Sequence, residues 1–444
     1  MMKEKIIELL KAKDLSGLKA LLAEFNVADV SEIIDELDKE DAIIVFRLLN
    51  KDEAAEVFSR MEQDTRERLI EALTEDEIKE VVDKLFLDDA ADLVEEMPAN
   101  LVKKVLANTK PDKRSAINEL LKYPEDSAGS IMTTEFIDLK ENLTVKEAFE
   151  RIRAIGKDKE TIYTLYVTDM ARCLIGIVTV KELVLADLDA HIKDIMEENV
   201  IKLNTLEDKE DVAKMFDKYD FLAMPVVDSE DRLVGIITVD DAMDVMQDEA
   251  SEDFEIMAAV TPSDESYFDM SVVEHTKHRI VWLLVLMLSA TITGSIITHY
   301  EEAFASIPIL VSFIPMLMDT GGNCGSQSST LIIRGLATGE IYPKDVFKVW
   351  FKEIRVAILV GIILAVVNGV RVAIQYGDVL LALVIGITLV LTVLISKSLG
   401  CILPLAAKKL KLDPAIMASP LITTIVDTCS ILIYFNVAVA LFHI

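Results

Sequence analysis

The chain has 444 residues, carries 45 basic against 76 acidic side chains for a formal net charge of −31, and is 52% apolar. That length exceeds one ordinary domain, and so acidic a surface repels nucleic acid and anionic headgroups while drawing cations. Four cysteines, Cys173, Cys324, Cys401 and Cys429, lie far apart, which excludes a disulfide framework and zinc-ligand spacing.

The charge is unevenly spread. From Arg279 onward there are eleven Lys/Arg and nine Asp/Glu, a net of +2, which leaves residues 1–278 with 34 basic and 67 acidic side chains, a net of −33. An acidic soluble half is joined to a nearly neutral apolar half. Met1 opens directly onto a charged helical pattern instead of a signal sequence, so residues 1–278 are expected in the cytoplasm.

Between Leu37 and about Leu120 the sequence repeats every twelve residues, with units opening at Leu37, Leu49, Met61, Leu73, Leu85, Met97 and Thr109. The ninth positions are all apolar: Val45, Val57, Leu69, Val81, Leu93, Val105 and Ile117. The fourth hold Glu40, Asp52, Asp64, Asp76, Asp88, Asn100 and Asp112, mostly residues that cap or charge a helix start. Twelve residues make one short helix and a turn, and stacking such units buries a continuous apolar seam. Residues 1–128 therefore read as an acidic α-helical solenoid, a scaffold or sensor with no sign of a catalytic pocket, and the chain as no enzyme. Asp88 falls in the capping column. Glu56 and Asp92 occupy the eighth position, where no packing or capping rule demands a carboxylate; they line a cation site or are solvated surface acids.

Tyr123-Pro124-Glu125-Asp126 breaks the pattern, and two similar halves follow, 129–190 headed by Ile131-Met132 and 191–247 headed by Ile195-Met196. Each has an apolar strand, a polar turn, a second strand and a helix, ending in Gly176-Ile177-Val178-Thr179 and Gly235-Ile236-Ile237-Thr238. The pair resembles tandem α/β cystathionine-β-synthase (CBS) modules. That resemblance implies that Thr179 with Glu182, and Thr238 with Asp241, can hold the ribose of an adenine nucleotide; helix capping by the threonines is the alternative.

Residues 241–278 read as helix continuing toward the membrane, 248–278 being a connecting helix. Its start is crowded with Asp240, Asp241, Asp244, Asp248, Glu249, Glu252, Asp253 and Glu255, of which Asp241, Asp244 and Asp248 share a face. Like charges at ~4 Å and an effective dielectric near 20 cost ~4 kcal/mol per contact, so a divalent ion bridging them would favour closing the surfaces together. A plain solvated face is the other reading.

Five apolar spans follow at about 280–297, 303–333, 349–374, 379–405 and 415–442, an all-α transmembrane domain over 279–444. The loop His299-Tyr300-Glu301-Glu302 is acidic, whereas Lys344, Lys348, Lys352 and Arg355 follow the second span and Lys408, Lys409 and Lys411 the fourth. With the N-terminus inside, both basic loops land inside and the C-terminus outside. The second span carries Pro308, Pro315 and Gly321-Gly322-Asn323-Cys324-Gly325-Ser326-Gln327. Such a series predicts broken backbone lining a cavity, its freed carbonyls facing an ion; close packing through small residues accounts for Gly325 and Ser329 but not for the whole series. The fifth span holds one carboxylate near its middle, Asp427, flanked by Thr423, Thr424, Thr428 and Ser430, with no Lys or Arg to neutralise it. An acid at that depth costs ~2.5–3.5 kcal/mol and usually faces a bundle interior or a wet path. Asp427 reads as an ion ligand, against the alternative of a protonated acid bonded to a neighbouring helix.

The assembly resembles the MgtE magnesium transport family over nearly its whole length, most specifically at 315–327, with its Gly-Gly-Asn-x-Gly-x-Gln core, and at 413–427, from Asp413-Pro414 to Asp427. The resemblance implies a homodimer in the plasma (inner) membrane, its pore built by the second and fifth spans of both subunits. Asp427 matches the pore aspartate that holds a largely hydrated Mg²⁺. Cytosolic Mg²⁺ ligands match at Glu56, Asp88 and Asp92, and at Asp208, Asp241, Asp244, Glu249, Glu252 and Asp253, so Asp88 is expected as both cap and ligand. The family's CBS modules can also bind ATP as a regulator. Asp319 has no such match; it attracts ions at the pore's inner end or caps a helix break. The expected function is a Mg²⁺-selective channel closed by cytosolic Mg²⁺, passing Mg²⁺ with Co²⁺ or other divalent cations as candidates. The alternatives are a secondary transporter coupling Mg²⁺ to H⁺ or Na⁺, and a membrane-anchored nucleotide or metal sensor.

Overall fold

The computed structural model describes residues 2–263, 267–268, 270–301, 305 and 307–443; Glu302 and the expected start of the second span at 303 lie outside them. Two compact units are present, Met1–Gln247 and Asp248–Ile444.

The first unit opens with α1 (Met2–Ala12), α2 (Leu15–Leu22) and α3 (Val27–Asp35). Then come α4 (Lys39–Leu48), α5 (Lys51–Ser59), α6 (Gln63–Ala72), α7 (Glu75–Lys84), α8 (Leu87–Glu96), α9 (Ala99–Asn108) and α10 (Pro111–Leu120), each starting twelve residues after the last. The ninth-position residues are all buried, from Val45 at 0% exposure to Val81 at 5%. Helices two apart pack together, α3 on α5, α5 on α7 and α7 on α9, which is the stacking a solenoid requires. The capping column is corrected. The caps are the second positions: Asp38, Asn50 and Thr74 accept from the amides of Asp41, Glu53 and Glu77 at 3.0, 3.0 and 3.3 Å. The fourth position lies inside the first helical turn, where a carboxylate meets the helix dipole without capping; Asp88 is therefore no cap.

The two α/β modules follow the same plan. In the first, β1 (Asp138–Lys140) pairs parallel with β2 (Thr164–Thr168), which pairs antiparallel with β3 (Leu174–Thr179); α11 (Val145–Ile155) and α12 (Val180–Leu185) complete it. After α13 (Ile192–Ile195), the second repeats this with β4 (Leu203–Asn204), α14 (Lys209–Tyr219), β5 (Ala223–Val227) and β6 (Leu233–Thr238). Each leading segment docks on the other module's sheet: Thr133 exchanges backbone bonds with Ile236 at 2.8 and 2.9 Å, and Glu197 with Ile177 at 2.9 and 3.0 Å. That exchange explains the signature glycines. A Cβ on Gly176 would lie 2.8 Å from Met196 Sδ, and one on Gly235 2.6 Å from Met132 Sδ.

The expected helix over 241–278 is two helices, α15 (Val239–Met257) and α16 (Val272–His299). Ala259 takes a positive φ of 56°, Pro262 disfavours helix at Thr261, and Ser271 starts α16 with a capping box to Glu274. Residues 272–278 thus belong to the helix of the first span. Next come α17 (Ile314–Ala337), α18 (Val346–Tyr376), α19 (Val379–Lys409) and α20 (Ser419–Phe442). Among the described residues four segments are long and apolar enough to cross a bilayer: Val272–His299, Pro343–Tyr376, Val379–Lys409 and Pro414–Phe442. The expected count of five is not met on that measure, because α17, at 24 residues and ~36 Å, is too polar.

α17 also corrects the expectation of broken backbone. Pro308 starts a 3-10 turn over Pro308–Phe313, Pro315 sits in the first turn of α17, where its missing N–H costs nothing, and the helix runs unbroken through Gly321-Gly322. The glycines serve close approach. A Cβ on Gly321 would fall 2.8 Å from Ser430 Oγ and 2.9 Å from Thr392 Cγ2, one on Gly325 2.6 Å from Ile422 Cγ2, and one on Gly400 would strike the Gly325 carbonyl oxygen. Small residues at four-residue spacing on α17 and α19 let the backbones touch.

Gly400→Ala should therefore lower the unfolding temperature of the protein in detergent, because a rigid carbonyl leaves the methyl no room. Gly294→Ala, with nothing within 4 Å of its added carbon, should leave it unchanged or raise it, since Ala is the better helix former.

Candidate divalent-cation sites

Helix α8 begins with no cap of its own: Phe86 stands at the N-cap without a side-chain bond. The carboxylate of Glu135, from the leading segment of the first module, accepts the Leu87 N–H at 3.0 Å instead. Behind that cap Asp88 is buried, at 7% exposure, and accepts the Asp89 N–H at 2.9 Å. Two further acids complete the group. Asp241 opens α15 and accepts from the Thr238 amide at 3.3 Å and from the Thr238 hydroxyl. Glu160 follows α11, and its Oε2 is buried without a hydrogen-bond partner among the described residues.

Burial of so many acids together shows in their titration. Burial, then the charge of Asp89, pushes Asp88 up to about 7; burial, then Asp88, pushes Asp241 up to about 7. Asp89 rises to about 6 through burial and Asp241, partly offset by Arg66 and Arg60. Glu160 rises to about 9 through burial, then Asp88 and Asp241. Asp92 has an exposed surface, where water within reach stabilises the ion, although the mass of protein around it, and then Asp88, push it upward. Among the described residues no three His, Cys, Asp or Glu side chains stand close enough to hold a metal ion directly.

The other expected ligands are placed differently. Glu56 is exposed on α5. Asp208 is an exposed N-cap, accepting from Glu210 N–H at 2.9 Å. On α15, Asp244 and Glu252 are exposed, and Glu249 and Asp253 are half-buried. Thr179 and Glu182 form a complete capping box, at 3.2 Å and 2.7 Å, so capping accounts for that pair, whereas Thr238 donates its amide and hydroxyl to Asp241. Asp89, Glu135 and Glu160 were not singled out by sequence. Asp89 adjoins a recognised acid, but nothing local marks a loop glutamate as facing α8.

In the second unit Asp427 is half-buried on α20. Its neighbouring hydroxyls are directed to their own helix: Thr423 and Thr424 donate to the Pro420 carbonyl at 2.9 and 3.0 Å, Thr428 to Thr424 at 3.1 Å and Ser430 to Val426 at 2.7 Å. Thr428 also bonds with Thr293 of α16 at 3.0 Å. Asp319 lies within electrostatic reach of Asp427. It sits in unbroken helix, so it caps no break, and it begins an exposed stripe on α17 with Asn323 and Gln327, Asn323 donating to it at 3.1 Å.

The profile of a family described as a divalent cation transporter, MgtE, matches 314–437; that of the MgtE intracellular N domain matches 25–126, and the CBS domain matches 128–189 and 192–248. The magnesium transporter MgtE of Bacillus subtilis (strain 168) is 37% identical over 338 residues, 76% of this chain and 74% of the relative. The chain belongs to the MgtE family. The magnesium transporter MgtE of Thermus thermophilus is 38% identical over 328 residues, 74% of this chain and 73% of its own. Two crystal structures resemble the soluble half, each with a TM-score of 0.53: the soluble part of a magnesium transporter, 32% identical and covering 56% of this chain and 98% of that one, and the cytosolic domain of the Mg²⁺ channel MgtE in complex with ATP, 35% identical and covering 55% and 99%. MgtE is a family of magnesium transporters, not of enzymes, and its intracellular N domain and CBS domains correspond to the solenoid and the two α/β modules here.

The acid cluster has a testable pH signature. Each raised carboxyl makes the folded state hold more protons than the unfolded one. Its stabilising contribution is full below the ordinary carboxylate value of 3.8 and is lost as pH climbs through about 6 and about 7. Without metal, amides of α8 in the full-length protein should exchange hydrogen faster, relative to the intrinsic rate, at about pH 8 than at about pH 5. Millimolar Mg²⁺ should restore protection mainly at the higher pH, and Asp88→Asn should flatten both effects. Equal Mg²⁺ protection at both pH values would place the ion elsewhere.

Proposed function

We propose that the chain is a homodimeric, Mg²⁺-selective channel that admits magnesium down its electrochemical gradient and closes when cytosolic Mg²⁺ occupies its acidic sites. Asp427 carries this reading: an un-neutralised carboxylate in an apolar helix, half-open, its hydroxyl neighbours turned to backbone, and within reach of the Asp319 that heads the polar stripe of α17. On this reading α17 is the second of five spans, bringing the four apolar ones to five, with its stripe turned to a two-fold axis instead of lipid. Mg²⁺ sheds water reluctantly and binds through one or two carboxylates, which suits two Asp427 side chains facing each other. An inside-negative potential favours entry of a divalent ion by ~4.6 kcal/mol per 100 mV, twice the single-charge value, so no coupled ion is needed. The domain limits 1–128, 129–190, 191–247, 248–278 and 279–444, and an outside C-terminus, belong to the same proposal.

For the gate, the cluster of Asp88, Asp89, Asp241 and Glu160 supports closure by a bridging cation, with Glu56, Asp92, Asp208, Asp244, Glu249, Glu252 and Asp253 as further ligands. Met257 and Ile256, at the end of α15, pack on Ile333 of α17 and on Ala415 and Ala418, so the helix bearing Glu249, Glu252 and Asp253 touches the polar helix itself. Moving a gate from 1:99 to 99:1 needs ~5.5 kcal/mol of differential binding, which several weak sites can share. ATP as a regulator is supported by the ATP complex of the related cytosolic domain. Thr179, Thr238 and Asp241 are the groups this chain offers it, and Asp241 would then serve both ligands.

Mg²⁺ uptake into liposomes tests the pathway: Asp427→Asn should lower it at least tenfold. Neutralising Asp241, Asp244 and Glu252 together should leave the channel conducting at high internal Mg²⁺, where the unaltered protein shuts. A reversal potential that moves with pH or Na⁺ at fixed Mg²⁺ would instead establish a coupled carrier.

A further inference from the structure

One ionic group in the second unit has no part in that reading. Lys397 lies inside α19 with 5% of its surface exposed, where an unpaired ammonium is costly. Its Nζ donates to Ser328 Oγ of α17 at 3.1 Å, and that hydroxyl donates to Glu353 Oε2 of α18 at 2.6 Å. Lys397 Nζ is 3.7 Å from the same carboxylate oxygen. Three helices are tied at one point, and the hydroxyl in the middle belongs to the helix that exposes Asn323 and Gln327. Ser329, next along, donates to the Met417 carbonyl at 2.7 Å.

The seam between α17 and α19 constrains rotation by shape alone. Gly321 and Gly325 meet Thr392 and Ser396, and the hydroxyls of Thr392 and Ser396 are buried without hydrogen-bond partners among the described residues. Such a seam sets how near the helices come but lends no directional bond to fix rotation. At 3.6 residues per turn, a slip of one position turns a helix by about 100°, enough to exchange Gln327 for Ser328 on the exposed stripe. A buried pair can often be replaced by apolar groups without loss of stability, so this pair is best judged by function.

We propose that Lys397 and Glu353 are positioning residues for ion passage: by clamping Ser328 they hold α17 at the rotation that presents Asn323 and Gln327 to the ion. The proposal rests on the pathway reading above. It is tested with the full-length protein in liposomes, measuring uptake against Mg²⁺ concentration and against competing Co²⁺, with unfolding temperature recorded on the same preparations. Ser328→Ala removes one oxygen atom, and Glu353→Gln keeps shape while removing charge. Both should raise half-saturating Mg²⁺ by about tenfold or more, as misplaced binding groups do, and weaken the preference for Mg²⁺ over Co²⁺; the unfolding temperature should stay nearly unchanged in Ser328→Ala and fall in Glu353→Gln, which leaves Lys397 buried without its counter-charge. In Lys397→Met/Glu353→Leu, stability should return toward that of the unaltered protein while half-saturation and preference stay altered. Unaltered transport in Ser328→Ala and in the double variant would overturn the clamp. Asp427→Asn is run alongside: if it transports normally, the pathway reading falls and the clamp with it, whereas loss there beside normal Ser328→Ala and double-variant transport condemns the clamp alone.

Discussion

Mutual repulsion among carboxylates held out of water is the interaction on which the soluble half depends. After burial itself, Asp89 raises Asp88, Asp88 raises Asp241, Asp241 raises Asp89, and all three raise Glu160. A protein that needed only stability would not keep such a group, because well-packed apolar residues are usually as good or better there. The cost is tolerable if a counter-ion is normally present, and it turns into a dependence on that ion's concentration. Arg60 and Arg66 relieve Asp89 in part, but Glu160 keeps a buried oxygen unpartnered. Compensation inside the chain is incomplete, and on the proposed reading this is what would give a cation leverage.

The fold brings these acids together by ordinary means. A twelve-residue period delivers Asp88 and Asp89 to the first turn of α8, where the helix dipole tolerates negative charge. Glu135, from a different module, takes the place of a missing cap on that helix. Thr238, just before α15, donates its amide and hydroxyl to the Asp241 carboxylate and holds it in place. The cluster arises because two helix starts, those of α8 and α15, share one neighbourhood with Glu135 and Glu160 from the first module.

What sequence could reveal followed from periodicity. Ninth positions such as Val57 and Val105, buried at 0% exposure, were legible because a seam leaves a column. The paired strands were legible from matching Gly-x-x-Thr ends, although the exchange of leading segments was not, since no local signal tells Met132 that its glycine lies in the other module. Asp427 stood out because an acid in an apolar run needs a reason. Asp88 was misread as a cap, since column statistics locate a helix start only to within a turn. The Pro and Gly series of α17 was misread as a break: Pro315 proved to be in the first turn and Gly321-Gly322 inside a helix that needs thin faces. Glu135, Glu160 and Lys397 carry no period, and their roles depend on partners far along the chain: Leu87 for Glu135, Asp88 and Asp241 for Glu160, and Ser328 and Glu353 for Lys397.

The two units treat buried charge in contrasting ways. Lys397 and Glu353 neutralise each other through Ser328, a closed arrangement that asks nothing of solvent or ions. Asp427 has no base in its apolar run, and the α8 acids outnumber the arginines beside them, so both are left open to an outside cation. A rigid, internally neutral tie suits a helix whose rotation must stay fixed. An un-neutralised carboxylate suits a place where an ion must enter and leave, because a permanent partner would either bar the ion or be displaced at each passage. On the proposed reading, the distribution of paired and unpaired charge therefore separates the parts that would hold the pathway in shape from the parts that would meet the metal.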